Sequence, residues 1–307
     1  EGFAKTIQAY AMLNCLNMMG EVGVRTSFSD LNVPGDLLKP GCFNSYSQSL
    51  DYVKKLADDG LAALDVAGST DFPFTMVARW TGFATPADFK KFNRAVAARV
   101  AMYREDWPGM ETALSGSFLS LNGNLKTGPY MQFSTTANDA VNPMWRSAEN
   151  NSTPMLVQVN FVDEAETGDK RVFGASVPAN GEAKVRMRTT PSAPPDYPLM
   201  THEVQMYATN VSPISIIRNE ELVLMYAEAK LQQDDLAAAV STLDIIRQAY
   251  GLQVLAVARP AVIGNKVLLI DELLNQRRYS LFMEGHRWFD MRRYDKLDEL
   301  PLDKPEH

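Results

Sequence analysis

The sequence predicts an all-α fold: a scaffold of tetratricopeptide-like helical hairpins with one long irregular, loop-rich excursion that holds at most short β-hairpins. Three observations predict it. Apolar residues recur at three- and four-residue steps in several separate stretches, the pattern of amphipathic helices. Two helical pairs echo one another at a shift of 129 residues. Between those pairs, residues 120–212 leave the helical period and gather prolines, including Pro191, Pro194, Pro195 and Pro198.

The elements follow in chain order. Phe3, Ile7, Tyr10, Ala11, Leu13 and Leu16 share a helical period that ends at Gly20, and residues 27–44, rich in Ser, Pro, Gly and Asn, read as a loop. Leu50, Val53, Leu56, Ala57 and Leu61 mark a second helix over 47–64. The stretches 71–74 and 80–83 are too broken by Gly and Pro for regular structure, yet carry four aromatic rings, which serve either as a hydrophobic plug or as a contact surface. Thr85-Pro86-Ala87-Asp88 opens a helix to about Arg104, and Asp106-Trp107-Pro108-Gly109 turns the chain into another.

The echo lays Ala98, Met102, Asp106, Trp107 and Leu114 on Ala227, Leu231, Asp235, Leu236 and Leu243. A small residue on the first helix, an acidic turn and a second helix make the tetratricopeptide type of hairpin, in which small residues let helices approach closely. Two unrelated hairpins would give the same spacing. Within the excursion, Asn122-Gly123 and Asn180-Gly181 mark turns, and short strands are expected at 156–162, 184–188 and 203–207. Its aromatic content points to an ordered segment. One domain is expected, with helical scaffold at 1–119 and 213–307 and the excursion, on the ligand side, at 120–212.

A chain of 307 residues that is 46% hydrophobic buries a full core without disulfides. Its formal charge of −7 argues against nucleic acid and anionic membrane as partners, because both call for a basic face. Cys15 and Cys42 lack metal-knuckle spacing and are expected to be buried or half-buried thiols, with a single bridge as the alternative. No apolar stretch approaches the roughly 20 residues of a spanning helix. No nucleophile elbow, zinc-protease motif, phosphate loop or dinucleotide turn is present, and no metal or cofactor is expected.

The segment 266–294 carries the densest information. Ile270, Leu273, Leu274, Leu281 and Trp288 predict one long helix with an apolar face, and Arg277, Arg278, Glu284, His286, Arg287, Asp290, Arg292 and Arg293 are interleaved with Phe282, Trp288 and Phe289. His286 and Asp290 are one turn apart. Ser280 lies six residues before His286, about 600° of helix, and so points away from it, which speaks against a Ser-His-Asp triad. The expected role of Glu284, His286, Arg287, Trp288, Asp290 and Arg293 is a buried polar cluster, with Glu284 paired to Arg287, Asp290 to Arg293 or His286, and the aromatic rings packed around them.

Gln276-Arg277-Arg278-Tyr279-Ser280-Leu281-Phe282 followed by Glu284-Gly285-His286-Arg287-Trp288-Phe289-Asp290-Met291-Arg292-Arg293 resembles the C-terminal signature of the SusD/RagB family. Many members carry Glu where Gln276 and Ser280 stand. Ile217-Arg218-Asn219-Glu220-Glu221-Leu222 with Tyr226-Ala227-Glu228-Ala229, and Phe92-Asn93-Arg94-Ala95 with Ala98-Arg99-Val100-Ala101, extend the likeness over most of the chain. The resemblance implies a non-catalytic, surface-exposed binding protein. Its ligand would be an oligosaccharide or other nutrient, its partner a TonB-dependent outer-membrane transporter, and its place the outer face of the outer membrane. It also implies a short branch of the family. The first residues already keep the helical period with no capping residue before them, so the family's lipidated cysteine and first helix are expected upstream of Glu1. The lipid anchor would be the only membrane contact.

Sugar binding requires aromatic faces for pyranose rings, flanked by side chains that bond hydroxyls. The candidates are Trp80 in its loop, Tyr130 with Phe133, the set Asn142, Trp145 and Arg146, and Tyr197. Trp145 leads because polar neighbours and Pro143 surround it. A peptide binder of the same fold and a purely protein-binding helical scaffold are the alternatives.

Overall fold

A computed structural model describes residues 1–28, 33, 41–176, 181–193 and 197–301. In chain order the helices are α1 (Gly2–Met19), α2 (Tyr46–Ala67), α3 (Pro86–Tyr103), α4 (Trp107–Ser115), α5 (Val159–Asp163), α6 (Lys170–Phe173), α7 (Asn219–Gln232), α8 (Leu236–Ala249), α9 (Leu255–Ala258), α10 (Lys266–Ser280) and α11 (Arg287–Arg293). The strands are β1 (Tyr130–Met131), β2 (Val185–Ser192), β3 (Met200–Val204) and β4 (Ile214–Ser215). The architecture is the expected one, a tetratricopeptide-like helical scaffold with short strands. The chain divides into two compact units, one of Glu1–Pro129 with Ile217–Asp235 and one of Tyr130–Ile216 with Leu236–His307.

In the first unit α3 is the central helix, packed against α1, α2, α4 and α7. Thr85 caps it by accepting from the Asp88 amide at 3.2 Å, and Pro86 supplies the preset φ of a first helical turn. Phe89, Phe92, Val96, Val100 and Met102 are buried on it. Gly60 of α2 lets three helices meet, since a Cβ there would lie 2.9 Å from Thr6 Oγ1 and 3.0 Å from Asn93 Nδ2. Asn93 Nδ2 uses the space to donate to Thr6 Oγ1 at 2.7 Å and to the Ala57 carbonyl at 2.9 Å. Arg99 of α3 reaches Glu221 of α7 through two bonds of 2.7 and 2.6 Å, with both side chains buried. Burial opposes the Arg99 charge, but Glu221 holds its pKa above the usual range.

The α3–α4 pair is the first expected hairpin, joined through Glu105 at positive φ and an Asp106 cap that accepts from the Gly109 amide at 3.0 Å. The second echo is likewise two helices, α7 and α8, separated by a turn with Asp234 at φ 65°.

In the second unit β2 and β3 pair antiparallel, Val185 opposite Val204 and Met187 opposite His202. A third limb joins at Leu156, where the Val157 amide donates to the His202 carbonyl at 3.0 Å. The strand expected over 156–162 stops there and the chain turns into α5 instead. The helical turn carries Phe161 to Tyr279 and Phe282, at centroid separations of 4.8 and 4.1 Å. Val157, Phe161, Val172, Val185, Val204 and Tyr279 form one buried cluster, which fixes the small sheet to α10.

The single long helix expected over 266–294 is broken. α10 ends at Ser280, Met283 and Gly285 adopt φ of 61° and 79°, and α11 starts again at Arg287. Positive φ at two positions cannot continue a right-handed helix. Cys15 and Cys42, expected to be buried or half-buried, are exposed and unbridged. Among the described residues no helix is long and apolar enough to cross a membrane. His307, Pro194, Pro195 and Asn180 lie outside the described residues.

Candidate functional site

The aromatic rings of the first unit form a plug. Phe72 and Phe74 stack at 5.1 Å, both meet Phe3, and Trp80 packs on Phe89 and Phe92 at 5.9 and 5.0 Å. Trp80 is 9% exposed, which corrects its placement among the ligand-binding candidates: both faces of its indole are occupied by the core. A cavity of about 250 Å³ lies where α2, α3 and α4 meet, lined by Lys54, Arg94 and Arg104 over a floor of Ala97 and Ala101. Its cations are already matched: Arg94 and Lys54 pair with Asp58, and Arg104 with Asp51.

The remaining candidates lie in the second unit. The chain leaves through β1, whose Tyr130 pairs with Ser215 of β4, closes on itself where the Ser134 amide meets the Ala140 carbonyl, and returns at Asn142 against Asn210 and Ser212. Both limbs of this loop therefore rest on 210–215, which brings Tyr130 and the Asn142–Arg146 stretch to one backing segment. Asn142 is 2% exposed, and its side chain is used up in the turn: Nδ2 donates to the Ser212 carbonyl at 2.8 Å and Oδ1 accepts from the Met144 amide at 2.8 Å. It positions the loop and has no face left for a ligand. Tyr130, Phe133 and Trp145 are half-buried and Tyr197 is exposed.

Arg146 is half-buried beside Trp145. Its Nη1 donates to the Pro143 and Trp145 carbonyls at 2.8 and 2.7 Å, and among the described residues no carboxylate pairs with it. Its Nε is enclosed with no acceptor. Two acids of this unit are engaged by other arginines. Glu149 bonds Arg186 at 3.0 Å, and Glu203 bonds Arg186 at 2.9 Å and Arg188 at 2.5 Å. The Glu149 amide donates to Glu203, which ties this cluster to the loop.

The signature segment backs the same region. Ser215 Oγ donates to Glu284 at 3.3 Å, and Lys184 lies 3.7 Å from Glu284. Glu284 thus serves β4 and β2 instead of the expected Arg287. Asp290 accepts from Arg277 at 2.7 and 3.0 Å and from Arg293 at 3.0 Å. Burial alone would push the Asp290 carboxyl up, yet the two guanidinium groups hold it below the usual carboxylate range. Arg171 bonds Gln276 Oε1 at 2.8 Å and Ser280 Oγ at 2.9 Å, while Asp169 supplies its counter-charge at 2.7 Å. The counter-charge of Arg171 is thus provided from the N-cap of α6.

His286 is buried at the start of α11. Arg287 meets only the Leu274 carbonyl, at 3.4 Å, among the described residues, and burial together with Arg278 lowers its pKa. Trp288, expected in the core, is 56% exposed, because the break at Gly285 rotates α11 out of the register that a continuous helix would impose.

Comparison with known proteins fixes the lineage. The fold is similar to that of a SusD-like protein from Bacteroides fragilis (TM-score 0.62, 15% identity, 96% of this chain and 68% of that one). It is also similar to surface glycan-binding protein A from Bacteroides uniformis (TM-score 0.58, 16% identity, 99% and 70%). In sequence the chain is 23% identical to the SusD-like protein P38 of Formosa agariphila, over 97% of this chain and 67% of that protein. A sequence model described as the SusD family matches residues 174–304. Residues 174–304 belong to the SusD family. The match begins just after α6 and runs past α11, so it includes the Arg277–Asp290–Arg293 cluster and leaves out the loop of Trp145.

Proposed function

We propose that this protein binds oligosaccharide through the loop 130–146, with Trp145 as the stacking platform and Arg146 as the polar contact. The observation that carries the reading is the pair itself. A half-buried indole lies next to a guanidinium that no carboxylate among the described residues matches, in a loop held by Asn142 and by the 210–215 backing. Aromatic and arginine side chains are the residues that most often dominate binding energy. The glycan-binding relative from Bacteroides uniformis supports the ligand class. Tyr130 on β1 is a secondary contact, whereas Trp80 is not part of the site.

The role that fits is capture without catalysis, at the outer face of the outer membrane, for delivery to a TonB-dependent transporter. Co-purification of the full-length protein from its native membrane tests the delivery step: a β-barrel transporter recovered with it supports the reading, and recovery with no transporter counts against it. Calorimetric titration of oligosaccharide and peptide pools tests the ligand class. Heat with saccharides alone is expected; heat with peptides alone would replace this reading.

A further inference from the structure

The fully buried arginines of the second unit named here are each matched by a carboxylate, whereas the half-buried Arg146 and Arg287 meet only carbonyl oxygens among the described residues. Arg171 is matched by Asp169, Arg188 by Glu203, Arg247 by Glu272 and Arg277 by Asp290. A cation drawn from water into protein needs such a partner, or it retains a desolvation cost that only dipoles offset. Arg146 has two carbonyl dipoles on Nη1, an enclosed Nε and no hydrogen bond at Nη2 among the described residues. The enclosed Nε is out of a ligand's reach and Nη1 is taken, so Nη2 is the end of Arg146 left to meet an oxyanion, as a charge-assisted single contact.

Resting on the glycan-binding reading, we infer that the oligosaccharide taken at Trp145 and Arg146 is acidic: a sugar bearing a carboxylate or a sulfate ester, which supplies the counter-charge that the fold withholds. The local acids cannot reduce that demand. Glu149 and Glu203 are already divided between Arg186 and Arg188, and Asp139 of the loop accepts from the Ala140 amide. The whole chain carries −7, so its general field opposes an acidic ligand and the preference must arise locally, at contact distance. Arg146 is then the specificity residue of the site, and Trp145 contributes the contact common to acidic and neutral rings.

The test titrates three probes of matched length, an oligogalacturonate, a sulfated dextran oligomer and a malto-oligosaccharide, into the wild type, Arg146→Gln, Arg146→Lys and Trp145→Ala, with melting curves for each protein. At least tenfold tighter binding of one acidic probe over the neutral one is expected, weakening with added salt, and the two acidic probes tell carboxylate from sulfate. Arg146→Gln should erase the preference, with acidic probes losing at least tenfold more affinity than the neutral one. Arg146→Lys keeps the charge and should retain part of the preference even where the glutamine variant disturbs the loop. Equal binding of all probes by the wild type, or an equal loss for all of them in both Arg146 variants, overturns the acidic assignment and leaves the glycan site standing. Binding that survives Trp145→Ala unchanged, or no binding of any probe, overturns the site itself.

Discussion

The Arg277–Asp290–Arg293 cluster of the signature segment and Arg146 of the loop 130–146 are handled in opposite ways. In the segment, Arg277 and Arg293 converge on Asp290, and the three side chains are removed from water together. In the loop, Arg146 meets only carbonyl oxygens. The difference separates scaffold from site: a charge balanced inside the protein holds the fold, and a half-buried charge left unbalanced is available to something outside it. It also explains why the segment identifies the family without naming a ligand.

The comparison breaks most visibly at Asp290. Replacing it by Ala leaves Arg277 buried without its carboxylate, and a loss of about 3–5 kcal/mol is expected, read as a fall in denaturation midpoint. The pH dependence has a definite sign. The folded-state pKa of Asp290 is lowered, so its stabilisation is present above the unfolded carboxylate value of about 3.9 and is lost as pH falls through the folded value. The penalty of Asp290→Asn should therefore shrink in acid, and a penalty constant from pH 7 down to strong acid would contradict the assignment.

The tryptophans sharpen the contrast. Trp80→Ala empties a site between Phe89 and Phe92 and should cost about 3–5 kcal/mol of stability, measured by chemical denaturation. Trp145→Ala should instead weaken oligosaccharide binding by about 2 kcal/mol or more with little change in melting temperature. Trp288→Ala, on an exposed face, should change stability by no more than about 0.5 kcal/mol, and a large loss there would mean that its indole is covered.

Much of the scaffold was legible in the sequence because its signals are local. The Thr85 cap with Pro86, the period through Leu50 and Val53, and the acidic turns at Asp106 and Asp235 specify helices without reference to distant partners. What sequence period alone missed was set at longer range. Trp80 sits in a stretch that reads as an exposed loop, and it is the packing against Phe89 and Phe92 of α3 that makes it core. The long helix was overread because its apolar period runs through Gly285, although glycine beside Glu284 is the kind of residue that stops a helix. Asn142 was rightly linked to Trp145, but its polar atoms proved to be committed to the backbone of 144 and 212. The Arg186, Arg188, Glu149 and Glu203 cluster left no trace in any single stretch, since it forms only when β2 and β3 pair.

The central claim is that the unbalanced loop, and not the balanced segment, is the binding surface. Its most direct test is calorimetric titration of oligosaccharide into the wild type and Trp145→Ala, with the melting temperature of each protein measured in the same buffer. The account predicts binding by the wild type and at least a tenfold loss in the variant, at an unchanged melting temperature. Unaltered affinity in Trp145→Ala, or a variant that unfolds before it loses binding, would contradict it.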